Sequence, residues 1–218
     1  MEDRVYIVHR QIEKIPEISG RVKAVDLHRN RISEMVLSRV ESMEYLDLSD
    51  NRIAEINDLE NVPNLKVLDL SYNLISTVEI PVMNLEELYL ISNDIPMIHG
   101  LELPMLRKLD MAANEICRIE NLEGCRSLAE LYLGSNRIRE VDGLDDLCML
   151  KTLDLQNNDI LRVDCLKIPR SVEVLLLGEN VNLEQIDNIE ALCNLRILGI
   201  EKTRVLMEAH EGKFEVWK

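Results

Sequence analysis

Tyrosines and carboxylates recur at equivalent places along this 218-residue sequence, and the chemistry they offer is that of binding. Tyr6, Asp26, Asp47, Asp69, Tyr89, Asp110, Tyr132 and Asp154 follow one another at intervals of 20 to 22 residues. Glu87 and Glu130 stand two residues before Tyr89 and Tyr132, Tyr45 stands two before Asp47, and Tyr72 lies three after Asp69. Phenol rings are favoured anchors at protein interfaces, and carboxylates select a basic partner. General acid–base work needs a shifted pKa, which burial or a cleft must supply, and a regular row of acids promises neither. His9 and His28 fall close to Asp26 and Asp47, a donor set of the kind that holds divalent cations. Isolated surface histidines are far commoner, so no metal and no cofactor is expected. A phosphate-binding Gly-x4-Gly-Lys, a Gly-x-Ser-x-Gly elbow and a His-Glu-x-x-His pair are all missing. The sequence reads as a non-enzyme.

The elements that position these residues follow from an internal repeat. Leu65-Lys-Val-Leu68-Asp-Leu70-Ser-Tyr-Asn73 has counterparts ending at Asn30, Asn51, Asn93, Asn114, Asn136, Asn158 and Asn180. Degenerate copies end at Arg10 and Thr203, which makes ten units at a spacing of 20 to 23 residues. The frame is Leu-x-x-Leu-x-Leu-x-x-Asn-x-Ile, the leucine-rich repeat. In its Leu-x-Leu step both leucines point one way and the residue between them points the other, as period-two strand geometry requires. The Asn amide is placed to satisfy backbone groups freed where the chain turns. No unit can bury its apolar side alone, so neighbours must stack into one continuous core.

The first leucine always lies eight residues before the ladder residue, whereas the return segment varies from 12 to 15. All six prolines (Pro16, Pro63, Pro81, Pro96, Pro104, Pro169) fall in return segments. The fold class expected is an α/β solenoid with a parallel concave sheet of about ten strands. Short turns and 3₁₀ helices form its convex side, since units this short leave no room for full helices. The solenoid spans residues 1–209, and 210–218, with Phe214 and Trp217, is read as a segment closing the last core layer.

Three outward positions per strand give thirty in all. Eight are acidic (Asp26, Asp47, Asp69, Glu87, Asp110, Glu130, Asp154, Glu201), against only Arg4 and Lys108 basic. Repetition alone copies residues into a solvated column, and tyrosine suits a pleated surface. The joint enrichment of acids and tyrosines on one face favours a binding strip. The whole chain carries 40 acidic against 25 basic residues, a net charge of −15. Such a charge repels nucleic-acid phosphates and favours a basic protein surface. No apolar run approaches the roughly 20 residues of a membrane span, and Met1-Glu2-Asp3-Arg4 lacks the pattern of a signal peptide. Five unclustered cysteines read as free core thiols, with Cys148 and Cys193 in a recurring packing slot. An intracellular protein, nuclear and/or cytoplasmic and monomeric when free, is expected.

Leu133-Gly-Ser-Asn-Arg-Ile-Arg139 and Ile119-Glu-Asn-Leu122, within a 22-residue-type frame, resemble the leucine-rich-repeat regulatory subunit of type-1 serine/threonine protein phosphatase. That resemblance implies a non-catalytic regulatory scaffold whose concave acidic and aromatic face holds the protein phosphatase 1 catalytic subunit. It assigns Asp69, Tyr89, Asp110 and Tyr132, one per consecutive unit, as the matching contacts. The family has about a dozen units and a C-terminal repeat cap; here there are ten, and Leu176 and Gly199 stand where further aromatic contacts are expected. Leucine-rich-repeat adaptors of splicing, tubulin or dynein complexes form the alternative.

Overall fold

The computed structural model describes residues 3–81, 83–206 and 214–218. Glu2 and the expected boundary at 209/210 lie outside these residues. Each unit contributes one three-residue strand: β1 (Arg4–Tyr6), β2 (Ala24–Asp26), β3 (Tyr45–Asp47), β4 (Val67–Asp69), β5 (Glu87–Tyr89), β6 (Lys108–Asp110), β7 (Glu130–Tyr132) and β8 (Thr152–Asp154). A short β9 (Arg162–Asp164) precedes β10 (Val174–Leu176), and β11 (Gln185–Asp187) precedes β12 (Ile197–Gly199) and β13 (Glu215–Trp217). Eleven strands form one parallel sheet in the order β1-β2-β3-β4-β5-β6-β7-β8-β10-β12-β13, and β9 pairs with β11 in a separate parallel pair. No α-helix occurs among the described residues. The return segments carry 3₁₀ turns at Leu59–Asn61, Cys165–Lys167 and Ile189–Ala191. The architecture is thus the expected leucine-rich-repeat solenoid, with an eleventh strand.

Register is strict. Each central leucine faces the next, as in Leu88↔Leu109↔Leu131↔Leu153, and the residues beside them form unbroken rows across the sheet. One face of the sheet is buried in a single aliphatic cluster running from Ile18 to Ile200, with Val5 and Val216 of the outermost strands partly buried against it. The other face stays open, which is rare for a parallel sheet and leaves its side chains free to meet something else.

Eight ladder asparagines tie the coils together. The Nδ2 group of Asn136 donates to the carbonyls of Met111 (3.0 Å), Leu133 (3.0 Å) and Gly134 (3.3 Å), and its Oδ1 accepts from the Ile116 N–H at 3.0 Å. One amide therefore serves both its own coil and the preceding one. Directly before every ladder position the backbone turns left-handed, from His9 (φ 55°) through Ala113 (φ 55°) and Ser135 (φ 57°) to Lys202 (φ 57°). The degenerate units keep this turn although Arg10 and Thr203 replace Asn. Thr203 reproduces part of the bonding, its Oγ1 donating to the Ile200 carbonyl at 2.8 Å.

All five cysteines are free. Cys125 and Cys165 are buried, but Cys117, Cys148 and Cys193 are exposed, contrary to the core placement expected of them. The buried slot lies three residues before the first leucine and is filled by Leu147 and Leu192. Cys148 and Cys193 stand one residue past it, turned outward by the tight return.

Candidate docking face

Every candidate in the central row points away from the core. Registered pairs carry the row from Tyr6 through Asp26, Asp47, Asp69, Tyr89, Asp110 and Tyr132 to Asp154, Leu176 and Gly199. Tyr45, Glu87 and Glu130 lie in the neighbouring row on the same face. Tyr72 stands apart: its left-handed backbone puts it at the rim, where it shares a cleft with His28, Arg29, Ser49 and Asp50. It is 57% exposed and Tyr6 is 60% exposed, whereas Tyr89 and Tyr132 are half-buried.

The aspartates do two jobs. The Oδ1 atoms of Asp47, Asp69, Asp110 and Asp154 accept the backbone N–H two residues on, at 2.8, 2.9, 3.1 and 2.9 Å. Asp26 does the same for His28 at 3.2 Å, and also lies 2.7 Å from His28 Nδ1. Each thus caps the end of its own strand, so part of the repetition is structural. Asp26, His28 and Asp47 bring one donor atom each to within 4.8 Å of one another, although Asp47 Oδ1 already accepts the Ser49 hydroxyl at 2.6 Å.

The open face is drier than a flat sheet would be. Desolvation raises the carboxyl pKa of Asp69, Asp110 and Asp154, with neighbouring carboxylates adding to the rise. Burial likewise pushes the Tyr45 and Tyr132 phenols up to about 12 and raises that of Tyr89, helped by Asp47, Glu130 and Glu87 respectively. These phenols remain protonated donors across the physiological range. Tyr89 donates to Glu87 at 2.6 Å and Tyr132 donates to Glu130 at 3.0 Å, which tethers each hydroxyl to its own strand.

Two participants lie outside the expected set of acids and tyrosines. In β13 Trp217 registers with Gly199, which extends the central row to an eleventh strand. Trp217 is 44% exposed, and its Nε1–H donates to Glu215 at 2.9 Å, repeating the Glu-x-Tyr arrangement of β5 and β7. Phe214 and Val216 pack on the core edge, in line with a closing role, while Trp217 faces out. The alternation Phe-Glu-Val-Trp was the available signal; without a leucine frame or ladder Asn its register was hidden. The second is Lys108, whose ammonium lies 5.2 Å from the Tyr89 ring centre and 5.3 Å from that of Tyr132. Farther along, Glu201 lies over Gly178, where a Cβ would collide with its carboxylate, and accepts from Gln156 Nε2 at 2.7 Å. The strip therefore has aromatic groups at its start, middle and end, with a low floor at Leu176 and Gly199 between the last two.

Comparisons with known proteins agree with this architecture. Leucine-rich-repeat family models match residues 41–81 and 146–160. The chain is 32% identical over 131 residues to an Arabidopsis thaliana protein phosphatase 1 regulatory inhibitor subunit PPP1R7 homolog, covering 56% of this chain and 40% of that protein. It is also 38% identical over 96 residues to mouse (Mus musculus) cilia- and flagella-associated protein 410, covering 38% of each. The chain thus spans well under two thirds of the length of these relatives. Among solved structures, an internalin InlF of Listeria monocytogenes covers 99% of the chain with a TM-score of 0.56 at 17% identity, and this shows the fold alone. The chain is a leucine-rich-repeat solenoid, similar over 56% of its length to a homolog of a protein phosphatase 1 regulatory inhibitor subunit.

Proposed function

We propose that this protein is a non-catalytic regulatory scaffold that holds the protein phosphatase 1 catalytic subunit against its open sheet face. The observation that carries the reading is the unbroken row of registered acids and aromatic rings, of which Asp69, Tyr89, Asp110 and Tyr132 occupy four successive strands. Similarity to the Arabidopsis phosphatase regulatory subunit homolog supports the choice of partner. Tyr89 and Tyr132 are the anchors, Tyr6 and Trp217 extend the strip to its ends, and Tyr45 and Tyr72 border it. Asp26, Asp47, Asp69, Glu87, Asp110, Glu130 and Asp154 attract and orient a basic surface. The scaffold works in the nucleus or cytoplasm, without cofactor, nucleic acid or membrane.

Co-purification with the phosphatase catalytic subunit tests this directly. The Tyr89→Ala, Tyr132→Ala double variant should lose the partner while its melting temperature stays close to that of the parent. Undiminished capture by the folded variant would remove this face from consideration. A second reading, an adaptor of another intracellular complex (splicing, tubulin or dynein type), draws on the similarity to the cilia- and flagella-associated protein. Mass spectrometry of proteins captured from a lysate separates the two.

A further inference from the structure

Six residues in the middle of the open face form a block of two rows by three strands. Register places Lys108 between Glu87 and Glu130 in one row, and Asp110 between Tyr89 and Tyr132 in the other. Both tyrosines lean toward the first row, their hydroxyls bonded to the two glutamates. Lys108 Nζ lies between the rings at nearly equal distances, 5.2 and 5.3 Å, and 3.6 Å from Glu130 Oε2. Its side chain is about one-third exposed, and Glu130's less than half. The tyrosines stand two strands apart, so about 10 Å separates their backbones. Without a filler between them, each ring has an inner side facing water.

By charge alone Lys108 is misplaced. A strip that recruits a basic partner gains nothing from a cation at its centre, and like charges brought together across an interface cost affinity. The distances describe another role. A cation over an aromatic face is attracted by the ring quadrupole, more so where water is partly excluded, as it is around the half-buried Tyr89, Lys108, Asp110 and Tyr132. Two rings sharing one ammonium lose their freedom to rotate apart, and ordering side chains before association lowers what binding must spend on them.

We propose that Lys108 is a positioning residue of the docking strip, an internal post that holds Tyr89 and Tyr132 in the orientation the partner meets. The inference rests on the docking reading above and adds a division of labour within it. With their inner sides taken by Lys108, the two phenol rings present edges and outer sides to an apolar part of the partner. The partner's cations fall instead on Asp26, Asp47 and Asp69, three registered carboxylates on adjacent strands with no Lys or Arg in the outward rows of those strands.

Titration calorimetry with the isolated type-1 phosphatase catalytic subunit, comparing the parent, Lys108→Met, Lys108→Arg and the double tyrosine variant, decides the matter because the two roles differ in sign. As a post, Lys108→Met weakens binding about 3- to 10-fold, and Lys108→Arg, which keeps a cation between the rings, stays within about twofold of the parent. As a mere charge, Lys108→Met binds as well as the parent or more tightly, and the proposal is overturned while the strip itself survives. Should the double tyrosine variant bind like the parent, or the parent not bind, the docking reading falls and takes this one with it. A measurement on the free parent protein guards against a misfolded variant. The ε-methylene protons of Lys108 should resonate upfield of an ordinary lysine because of the two rings. Unshifted resonances overturn the proposal whatever the binding data show.

Discussion

At the scale of single residues, the aspartates of the central row hold opposed duties. Asp69, Asp110 and Asp154 each cap their strand through one carboxylate oxygen, yet burial beside other acids penalises their charge. A carboxyl whose folded pKa exceeds its unfolded value favours the folded state only while protonated. Its contribution is therefore full below the ordinary carboxylate range and disappears as pH rises through the raised value. Asp69→Asn keeps an oxygen for the Ser71 N–H and removes the charge. Calorimetry should show its melting temperature about 1–3 °C above the parent at pH 7 and equal to it below pH 3. The same change should weaken partner binding, because the surface gives up some stability to keep its charge. None of this was visible in the one-letter code: spacing gives the column, whereas capping and desolvation depend on where the next backbone N–H and the neighbouring strands lie.

At the scale of the repeat, the ladder asparagine and the left-handed residue before it form one device. Replacing Asn136 with Ala leaves the Ile116 N–H without an acceptor inside a buried seam and takes from the Met111 carbonyl one of its two donors, Asn114 Nδ2 being the other. A loss of about 2–4 kcal/mol in urea unfolding is expected. Ala113, at φ 55°, carries a Cβ where a left-handed backbone disfavours one. Ala113→Gly should gain up to about 1 kcal/mol and Ala113→Val should lose stability, each read from the same denaturant midpoint. Gly143 meets a harder limit. At φ 70° a Cβ there would run into the Ile119 carbonyl oxygen, so Gly143→Ala should destabilise the coil even though the residue is exposed. The ladder was legible because it recurs as a single letter at a fixed offset. The turn was not, since His, Arg, Asp, Tyr, Ser, Ala, Asn, Glu and Lys all occupy it.

At the scale of the whole molecule, the parallel sheet, its register and the single core followed from the eight-residue spacing of first leucine to ladder, which no return segment disturbs. The eleventh strand did not, because Phe214-Glu-Val-Trp217 carries neither leucine pair nor ladder residue and is recognised only by its pairing with β12. The strip then runs the full width of the sheet, about 48 Å for eleven strands. An extended partner surface matches such a strip better than a short peptide does. Association should be fast at low salt and slow markedly as salt is raised, since the attraction is carried by carboxylates spread over many strands. Stopped-flow mixing at several salt concentrations measures this.

Trp217 gives the molecule a built-in optical probe. It is the chain's only indole, held by Glu215 on the last strand of the strip and partly open to water. Its emission should shift to the blue when a bound protein displaces that water, and to the red when the final coil peels away from β12. One unlabelled sample can therefore distinguish arrival of a ligand from fraying of the end by the direction in which its colour moves.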